Sequence, residues 1–347
     1  MLSPIAFDLI IKYFDAVDRI VAAFLNGIRP WDETALTFLL CGLLDEKKQE
    51  TLNLPYTLRQ LNEELSAFDS LEIHVTLKTH EYPPNIERWV TQSDLGFVVN
   101  FNNLMIPSDS WTVSWLLQAK RLYPTSSNPV QYDEKSKFRS MDPAQHARIE
   151  KLIDVTGVSF IKYLLYCPRV ESLDHVTRQK IRHLHNRSLG AHIYDYTPGF
   201  QLYKERLKVD NSLGAGLLIA DPSYLSKPNT FGVAHSGMLK PIKLPFPSPI
   251  MLPFWPSIES YFWPLITPLA WFLTLQLMGE HPDIDQSNSD WVHGIVSGDL
   301  EAVERVLKLF NNDNKQAPGP FLPPHTLTID VYVGHDLDPE RRQIRLE

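Results

Sequence analysis

Cysteine is scarce in this sequence: Cys41 and Cys167 are the two in 347 residues, and they lie far apart along the chain. Two distant cysteines exclude a disulfide scaffold and a cysteine-based zinc site, and they are typical of a reducing compartment. The N-terminal apolar stretch contains Asp8 and Asp15 and has no positive region before it, so it lacks the pattern of a signal peptide. We therefore expect a cytoplasmic protein.

Positive charge is also in short supply. The chain carries 33 Lys and Arg against 41 Asp and Glu, a formal net charge of -8. This balance excludes a basic protein that coats nucleic acid, so any contact with nucleic acid needs local clusters of Lys and Arg. Glycine (15 residues) is less frequent than proline (27 residues), which favours rigid, irregular connections over flexible linkers.

One long uncharged run stands out, at residues 260–279. Its length matches the about 20 residues that a membrane-spanning helix needs. However, Pro264 and Pro268 interrupt it, and the acids Glu259 and Glu280 flank it where a membrane protein would carry cations. We favour a buried segment packed against a sheet and expect no stable membrane insertion. Its aromatic residues offer a base-stacking surface as an alternative, although core packing is their commoner use.

The composition that is present, 44% hydrophobic and 11% aromatic residues, is enough for a substantial core. Apolar residues at steps of three and four predict helices, and alternating residues predict half-buried strands. The predicted helices are 7–26, 32–48, 57–68, 142–154 and 299–310, and the predicted strands are 71–78, 94–101, 111–119, 160–166, 215–220 and 326–333. A helix and a strand after a hairpin indicate a crossover, and hence an α+β fold with a central mixed β-sheet.

We divide the chain into three parts on this basis. Residues 1–55 form an N-terminal helical part, and residues 56–280 form the α+β domain with an irregular stretch rich in Pro and Trp. Residues 281–347 form a C-terminal helix and strand extension.

Polar residues stand at the ends of the two strands of the predicted hairpin. Asp94 opens the first strand, and Gln118-Ala119-Lys120 close the second. Side chains two apart on a strand point to one face, so Gln118 and Lys120 project together, and pairing of the strands brings Asp94 beside them. A carboxylate and an amide oxygen suit Mg²⁺, and an adjacent lysine can orient the attacking water and offset charge on a phosphate.

This arrangement resembles the PD-(D/E)xK nuclease superfamily, in the Q-x-K variant found among restriction-like enzymes. Glu87, Thr91 and Asp94 form a pattern similar to the E-x-x-x-T-G-A-D motif of bacterial members, with Gln92-Ser93 where Gly-Ala is usual. The stretch 146–166 resembles the helix and strand that follow the Q-x-K strand in such proteins. Residues 214–225 and the later stretch rich in Pro and Trp resemble a little-characterised prokaryotic branch, so the resemblance covers roughly residues 35 to 280.

The resemblance implies a restriction-endonuclease-like fold and hydrolysis of DNA phosphodiester bonds that depends on Mg²⁺ or Mn²⁺. Asp94 and Gln118 would hold the metal, and Lys120 would be the catalytic lysine. A further acid is usual, for which Glu87 is the first choice by its spacing, Glu64, on the helix before the sheet, is the second, and Glu81 is the third. DNA is the implied substrate, with RNA as an alternative, in the defence against or restriction of foreign DNA. A homo-oligomer or a partner protein of a defence system is also implied.

Basic residues for contact with the nucleic-acid backbone fall in three places. We expect them to be Arg121, Lys135, Lys137, Arg182 and Arg187. The densest basic run, residues 178–187, fits a track for a phosphate backbone with salt-dependent binding, and it fits a solvated helix face equally well.

Ordinary explanations exist for each of these signals. Asp at the start of a strand is a common turn residue, and a D…QxK pair arises by chance. Glu64 is more readily explained as a solvated residue bordering the buried stripe of its helix. A rival function is therefore a nuclease-fold module that has lost catalysis and binds nucleic acid or a partner protein.

Overall fold

The computed structural model describes residues 4–26, 30–52, 54–68, 72–81, 93–127, 130–132, 138, 143–156, 160–169, 216–222, 266–277, 293–294, 296, 301 and 325–334. Within these ranges a seven-stranded mixed sheet is flanked by helices, which confirms the α+β class. Most of the helix predicted at 299–310 lies outside the described residues.

Four helices precede the sheet: α1 (Pro4–Ala23), α2 (Glu33–Leu43), α3 (Glu46–Leu52) and α4 (Leu58–Phe68). The single helix predicted over 32–48 is wrong, because the chain breaks at Asp45. The side chain of Asp45 accepts hydrogen bonds from the backbone N–H of Lys47 (3.0 Å) and Lys48 (3.3 Å). It therefore caps the first turn of α3, where Lys48 N also donates to Asp45 O at 3.0 Å. Asp32 caps α2 in the same way, accepting from Ala35 N at 2.8 Å.

Seven strands form the main sheet in the order β1-β9-β2-β3-β6-β7-β8, and two short strands form a separate hairpin. The main strands are β1 (Glu72–Glu81), β2 (Leu95–Asn103), β3 (Trp111–Arg121), β6 (Ile161–Tyr166), β7 (Leu217–Ala220), β8 (Ile266–Pro268) and β9 (His325–Gly334); the short hairpin is β4 (Ser126–Ser127) and β5 (Val130–Gln131). β2 and β3 are antiparallel, and β3 and β6 are parallel with α5 (Pro143–Thr156) between them. The predicted hairpin and the predicted crossover are both confirmed.

β9 occupies a central place that its position in the sequence does not suggest. It is antiparallel to β1 and parallel to β2, so it separates these two strands. Its register is fixed by Asp330, whose carboxylate accepts from Asn100 Nδ2 on β2 (2.7 Å) and from Thr76 Oγ1 on β1 (3.3 Å). The strand from the predicted extension 281–347 thus shares one sheet and one hydrophobic core with residues 56–280, and a boundary at 280 does not separate two cores among the described residues.

We name the two faces of the sheet by a helix beside each: the α1 face, and the α5 face, where His146 of α5 shares a hydrogen bond with the Tyr163 hydroxyl of β6 (2.8 Å). On the α1 face, α6 (Leu269–Leu277) packs against the sheet, with Phe272 touching Phe97 (6.3 Å between ring centroids) and Trp115 (5.4 Å). Trp271 of α6 in turn meets Phe7 of α1 at 5.6 Å. The described part of the run 260–279 is therefore buried against the sheet, as predicted. Among the helices that the structure describes, none combines the length and apolar character needed to span a membrane.

A buried ionic cluster joins α1 to the ends of β6 and β7. Arg169 Nη1 donates to Asp15 Oδ1 (3.0 Å) and to Asp18 Oδ1 (2.9 Å), and Leu217 N donates to Asp18 Oδ2 (2.8 Å). Gly216 has φ +139 and lies against this cluster, so that a Cβ there would collide with the Asp18 carboxylate. Only glycine fits this position, since L residues rarely adopt such a φ and no space is left for a side chain.

Candidate functional site

Asp94 and Gln118 lie opposite each other where β2 begins and β3 nears its end. Leu95 is paired with Leu117, and Asp94 N donates to Leu117 O at 3.0 Å. The antiparallel register therefore places Asp94 beside Gln118. Asp94 Oδ2 accepts a hydrogen bond from Gln118 Nε2 and another from Ala119 N at 2.7 Å. The predicted meeting of Asp94 with the Q-A-K segment is therefore present in the fold.

Gln145 extends this contact from the helix that crosses over the sheet. It lies in the first turn of α5, and its Nε2 donates to Gln118 Oε1 at 2.9 Å. The three side chains form a chain of hydrogen bonds that runs from Gln145 to Gln118 to Asp94 on the α5 face. Sequence reasoning missed Gln145, although its place three residues after Asp142 in a helix with an Asp-Pro start would have put it near the end of β3.

Lys120 projects from the same face as Gln118, beside Leu165 of the parallel strand β6. The residue is 5% exposed. Among the residues that the structure describes, none makes a hydrogen bond or an ion pair with Lys120 Nζ. A buried lysine side chain that no described residue neutralises favours the approach of an anion.

Glu33 brings a second carboxylate to the end of β3, and sequence reasoning did not single it out. Its Oε1 accepts from the backbone N of Arg121 at 3.0 Å. Burial raises the pKa of the neighbouring Tyr166 well above its ordinary value. The hydrogen bond with Thr37 (2.9 Å between hydroxyl oxygens) works against this rise in pKa, and the charges of Asp94 and Glu33 add to it.

Arg121 was expected to contact DNA, and the structure corrects this. Residue 121 points to the opposite face from Lys120, as alternation along a strand requires. Its Nη1 donates to the carbonyl oxygens of Pro30 (2.9 Å) and Trp31, and its guanidinium lies 4.0 Å from the centroid of the Tyr123 ring. Arg121 is 9% exposed. Its side chain therefore holds the α1–α2 connection in place and does not face a phosphate.

Glu64 lies in a different neighbourhood from Asp94. Its helix, α4, packs on β1 and α1, where Asn62 donates to Val75 O (2.9 Å) and accepts from Val75 N (2.8 Å). These two bonds satisfy the backbone N–H and C=O of Val75 on β1, an edge strand of the sheet. Burial raises the pKa of Tyr56 above its ordinary value, and the nearby charge of Glu64 adds to the rise. The remaining predicted site residues lie outside the described residues: Glu87, Lys135, Lys137, Arg182 and Arg187.

The site offers few possible metal ligands, and those present are oxygen atoms. In the described ranges, no group of three or more His, Cys, Asp and Glu side chains is placed to hold a metal ion. The Asp94 carboxylate and the Gln118 amide oxygen nevertheless fit Mg²⁺, which is commonly bound by one or two carboxylates together with waters and substrate phosphates. Gln118 turns its NH₂ group toward Asp94, so its oxygen faces a cation at Asp94 only after the amide rotates.

Comparisons of the chain with protein-family models, with curated proteins and with solved structures found no match.

Proposed function

We propose that this chain is a metal-dependent phosphodiesterase that hydrolyses DNA, built on a restriction-endonuclease-like fold. The observation that carries the proposal is the placement of three groups at one end of the sheet. Asp94 touches Gln118, and Lys120 projects from the same face with a buried side chain whose amine none of the described residues pairs. An acid, an amide oxygen and a cation that no described residue neutralises suit a site for a metal ion and a phosphate.

The order of elements around the site supports the same proposal. A helix (α4), three strands (β1, β2, β3), a crossover helix (α5) and a parallel strand (β6) follow one another. The Q-x-K strand lies between the Asp-bearing strand and the strand that ends the crossover, as the resemblance to the PD-(D/E)xK superfamily implies. The inserted strand β9 is a departure that leaves the pairing of β2 with β3 intact.

Each side chain has a proposed role that follows from its surroundings. Asp94 and Gln118 would hold Mg²⁺ or Mn²⁺, which when bound polarises the phosphoryl oxygen and lowers the pKa of a coordinated water. Lys120 binds a phosphate oxygen, because its side chain carries a positive charge that none of the described residues neutralises, and it orients the attacking water. Glu87 stays our prediction for a further metal ligand.

The wider setting of this activity is part of the proposal. DNA is the favoured substrate, with RNA as the alternative, and restriction of foreign DNA is the role that the resemblance suggests. A homo-oligomer or a partner protein that controls cleavage would limit damage to the host's own DNA.

The proposal is tested by cleavage of supercoiled plasmid DNA in Mg²⁺ by the full chain and by Lys120→Ala. We expect Lys120→Ala to lower the cleavage rate by about 100-fold or more, since removal of one preorganised charge at a reaction centre has effects of this size. Lys78→Ala is the matched control. Lys78 is an exposed lysine of β1 whose Nζ lies 3.8 Å from Asp330 Oδ2, and removal of its side chain should leave cleavage unchanged. Equal cleavage by wild type and Lys120→Ala would show that the assigned site is wrong.

A second candidate function is binding without cleavage. It is favoured by one observation: Asp94 Oδ2 is already occupied by the donors Gln118 Nε2 and Ala119 N, which is a suitable arrangement for a structural aspartate. In that case neither Mg²⁺ nor Mn²⁺ would yield cleavage of DNA or RNA. Binding would still be measurable by a shift in electrophoretic mobility and would weaken with increasing salt.

A further inference from the structure

We infer that Gln145 is a positioning residue for Gln118, and that the two amides rotate together when a metal ion binds at Asp94. The inference rests on the proposed metal site and adds a residue that the resemblance does not assign. It explains how Gln118 can serve Asp94 as a hydrogen-bond donor in one state and a metal ion as an oxygen ligand in the other.

The argument begins with the two sides of a primary amide, one of which donates hydrogen bonds while the other accepts them. Gln118 donates from its NH₂ to Asp94 and, at 3.3 Å, to Ala119 O, and its oxygen accepts from the NH₂ of Gln145 (2.9 Å). In this state no cation can take the place of the NH₂ group beside Asp94 Oδ2. A half-turn about the last side-chain bond of Gln118 exchanges the two atoms and turns the oxygen toward Asp94.

That half-turn also changes which group of the Gln118 amide faces Gln145. The NH₂ of Gln118 would then face the NH₂ of Gln145, and two donors would oppose each other at a partly buried contact. A donor left without an acceptor in such a place is unfavourable. A matching half-turn of Gln145 supplies an oxygen and restores the hydrogen bond. Because both residues are glutamine, the pair has one bonded arrangement without the metal and another with it.

Two substitutions at position 145 lock the pair in opposite states. Gln145→Glu can only accept, so it holds the Gln118 NH₂ and turns the Gln118 oxygen toward Asp94. Gln145→Lys can only donate, so it holds the Gln118 oxygen and keeps the NH₂ on Asp94. Both substitutions also change the charge near the site, so the matched controls are Ala144→Glu and Ala144→Lys at the exposed neighbouring position of α5.

The measurement is the dissociation constant of Mn²⁺ for the full chain without nucleic acid, obtained by electron paramagnetic resonance of free Mn²⁺. We expect Gln145→Glu to bind Mn²⁺ about 10-fold more tightly than Ala144→Glu, and Gln145→Lys to bind it about 10-fold more weakly than Ala144→Lys. Tenfold is the effect of one net hydrogen bond to a group at the site. Circular dichroism serves as the check that all four variants keep the wild-type fold.

The outcomes separate this inference from the function on which it rests. Shifts of equal size at positions 144 and 145 would mean that charge alone acts, which overturns the positioning role and leaves the metal site standing. Wild-type protein that binds no Mn²⁺ would overturn the metal site and the inference together. Opposite shifts at 145, beyond those at 144, support both.

Discussion

Gly216→Ala should be among the most destabilising single-methyl changes in this protein. The backbone at this position has φ +139, which costs an L residue about 1–3 kcal/mol. The added Cβ would also overlap the Asp18 carboxylate, whose two oxygens hold Leu217 N (2.8 Å) and Arg169 Nη1 (2.9 Å). Loss of one such charge-assisted hydrogen bond costs about 1.5–3 kcal/mol. We therefore expect a loss of roughly 3–6 kcal/mol, against a typical total of about 5–15 kcal/mol for a folded protein.

The assay is equilibrium unfolding in urea, followed by tryptophan fluorescence. Gly42→Ala is the control, because Gly42 lies in α2 and a Cβ there would meet Leu52 Cδ1 at an ordinary 3.5 Å. That change should be neutral or stabilise the protein by about 0.5–1 kcal/mol, the usual gain when alanine replaces glycine within a helix. A Gly216→Ala protein within about 1 kcal/mol of wild type would refute the account of the cluster at Asp18.

Two further predictions concern charged side chains of the core. Burial raises the pKa of Asp18 from 3.8 to about 7. Between these values the folded chain holds a proton that the unfolded chain has released, so the stability from this group is greatest in acid and falls as pH rises through 7. Wild type should therefore lose roughly 2–3 kcal/mol relative to Asp18→Asn between pH 5 and pH 8 in urea unfolding; parallel pH profiles would contradict this. Arg121→Ala should lower the free energy of unfolding by about 1–3 kcal/mol, because it leaves the carbonyls of Pro30 and Trp31 without their donor. It should not change the slope of DNA affinity against salt, and a shallower slope would return Arg121 to the nucleic-acid interface.

Local patterns in the sequence were enough for the part of the fold that carries the site. The strands β2 and β3, the helix α5 and the apolar strand β6 each have a signal within a few residues, and all of them are confirmed. The meeting of Asp94 with Gln118 followed from the period of two along each strand and from antiparallel pairing. No knowledge of distant contacts was needed for either step.

What could not be predicted depends on contacts between distant residues. Asp330 and Asn100 are separated by 230 positions, and nothing in the sequence near either one indicates that β9 enters the sheet beside β2. Arg121 illustrates the same limit, because a basic residue beside a polar loop fits a phosphate contact until the carbonyls of Pro30 and Trp31 are seen to lie next to it. The break at Asp45 was a local event, masked by helix-forming residues on both sides.

The central place of β9 has a consequence for how the protein is made. β2 ends at Asn103, whereas β9 begins at His325, so the ribosome must add residues 104–324 before the strand that joins β1 to β2 exists. Pairings between residues so far apart form late and slowly, because a long loop must close first. Until then β2 lacks one of its two neighbours, and the hairpin that holds Asp94 and Gln118 has an open edge. The main sheet is thus complete only once the chain has been made as far as β9.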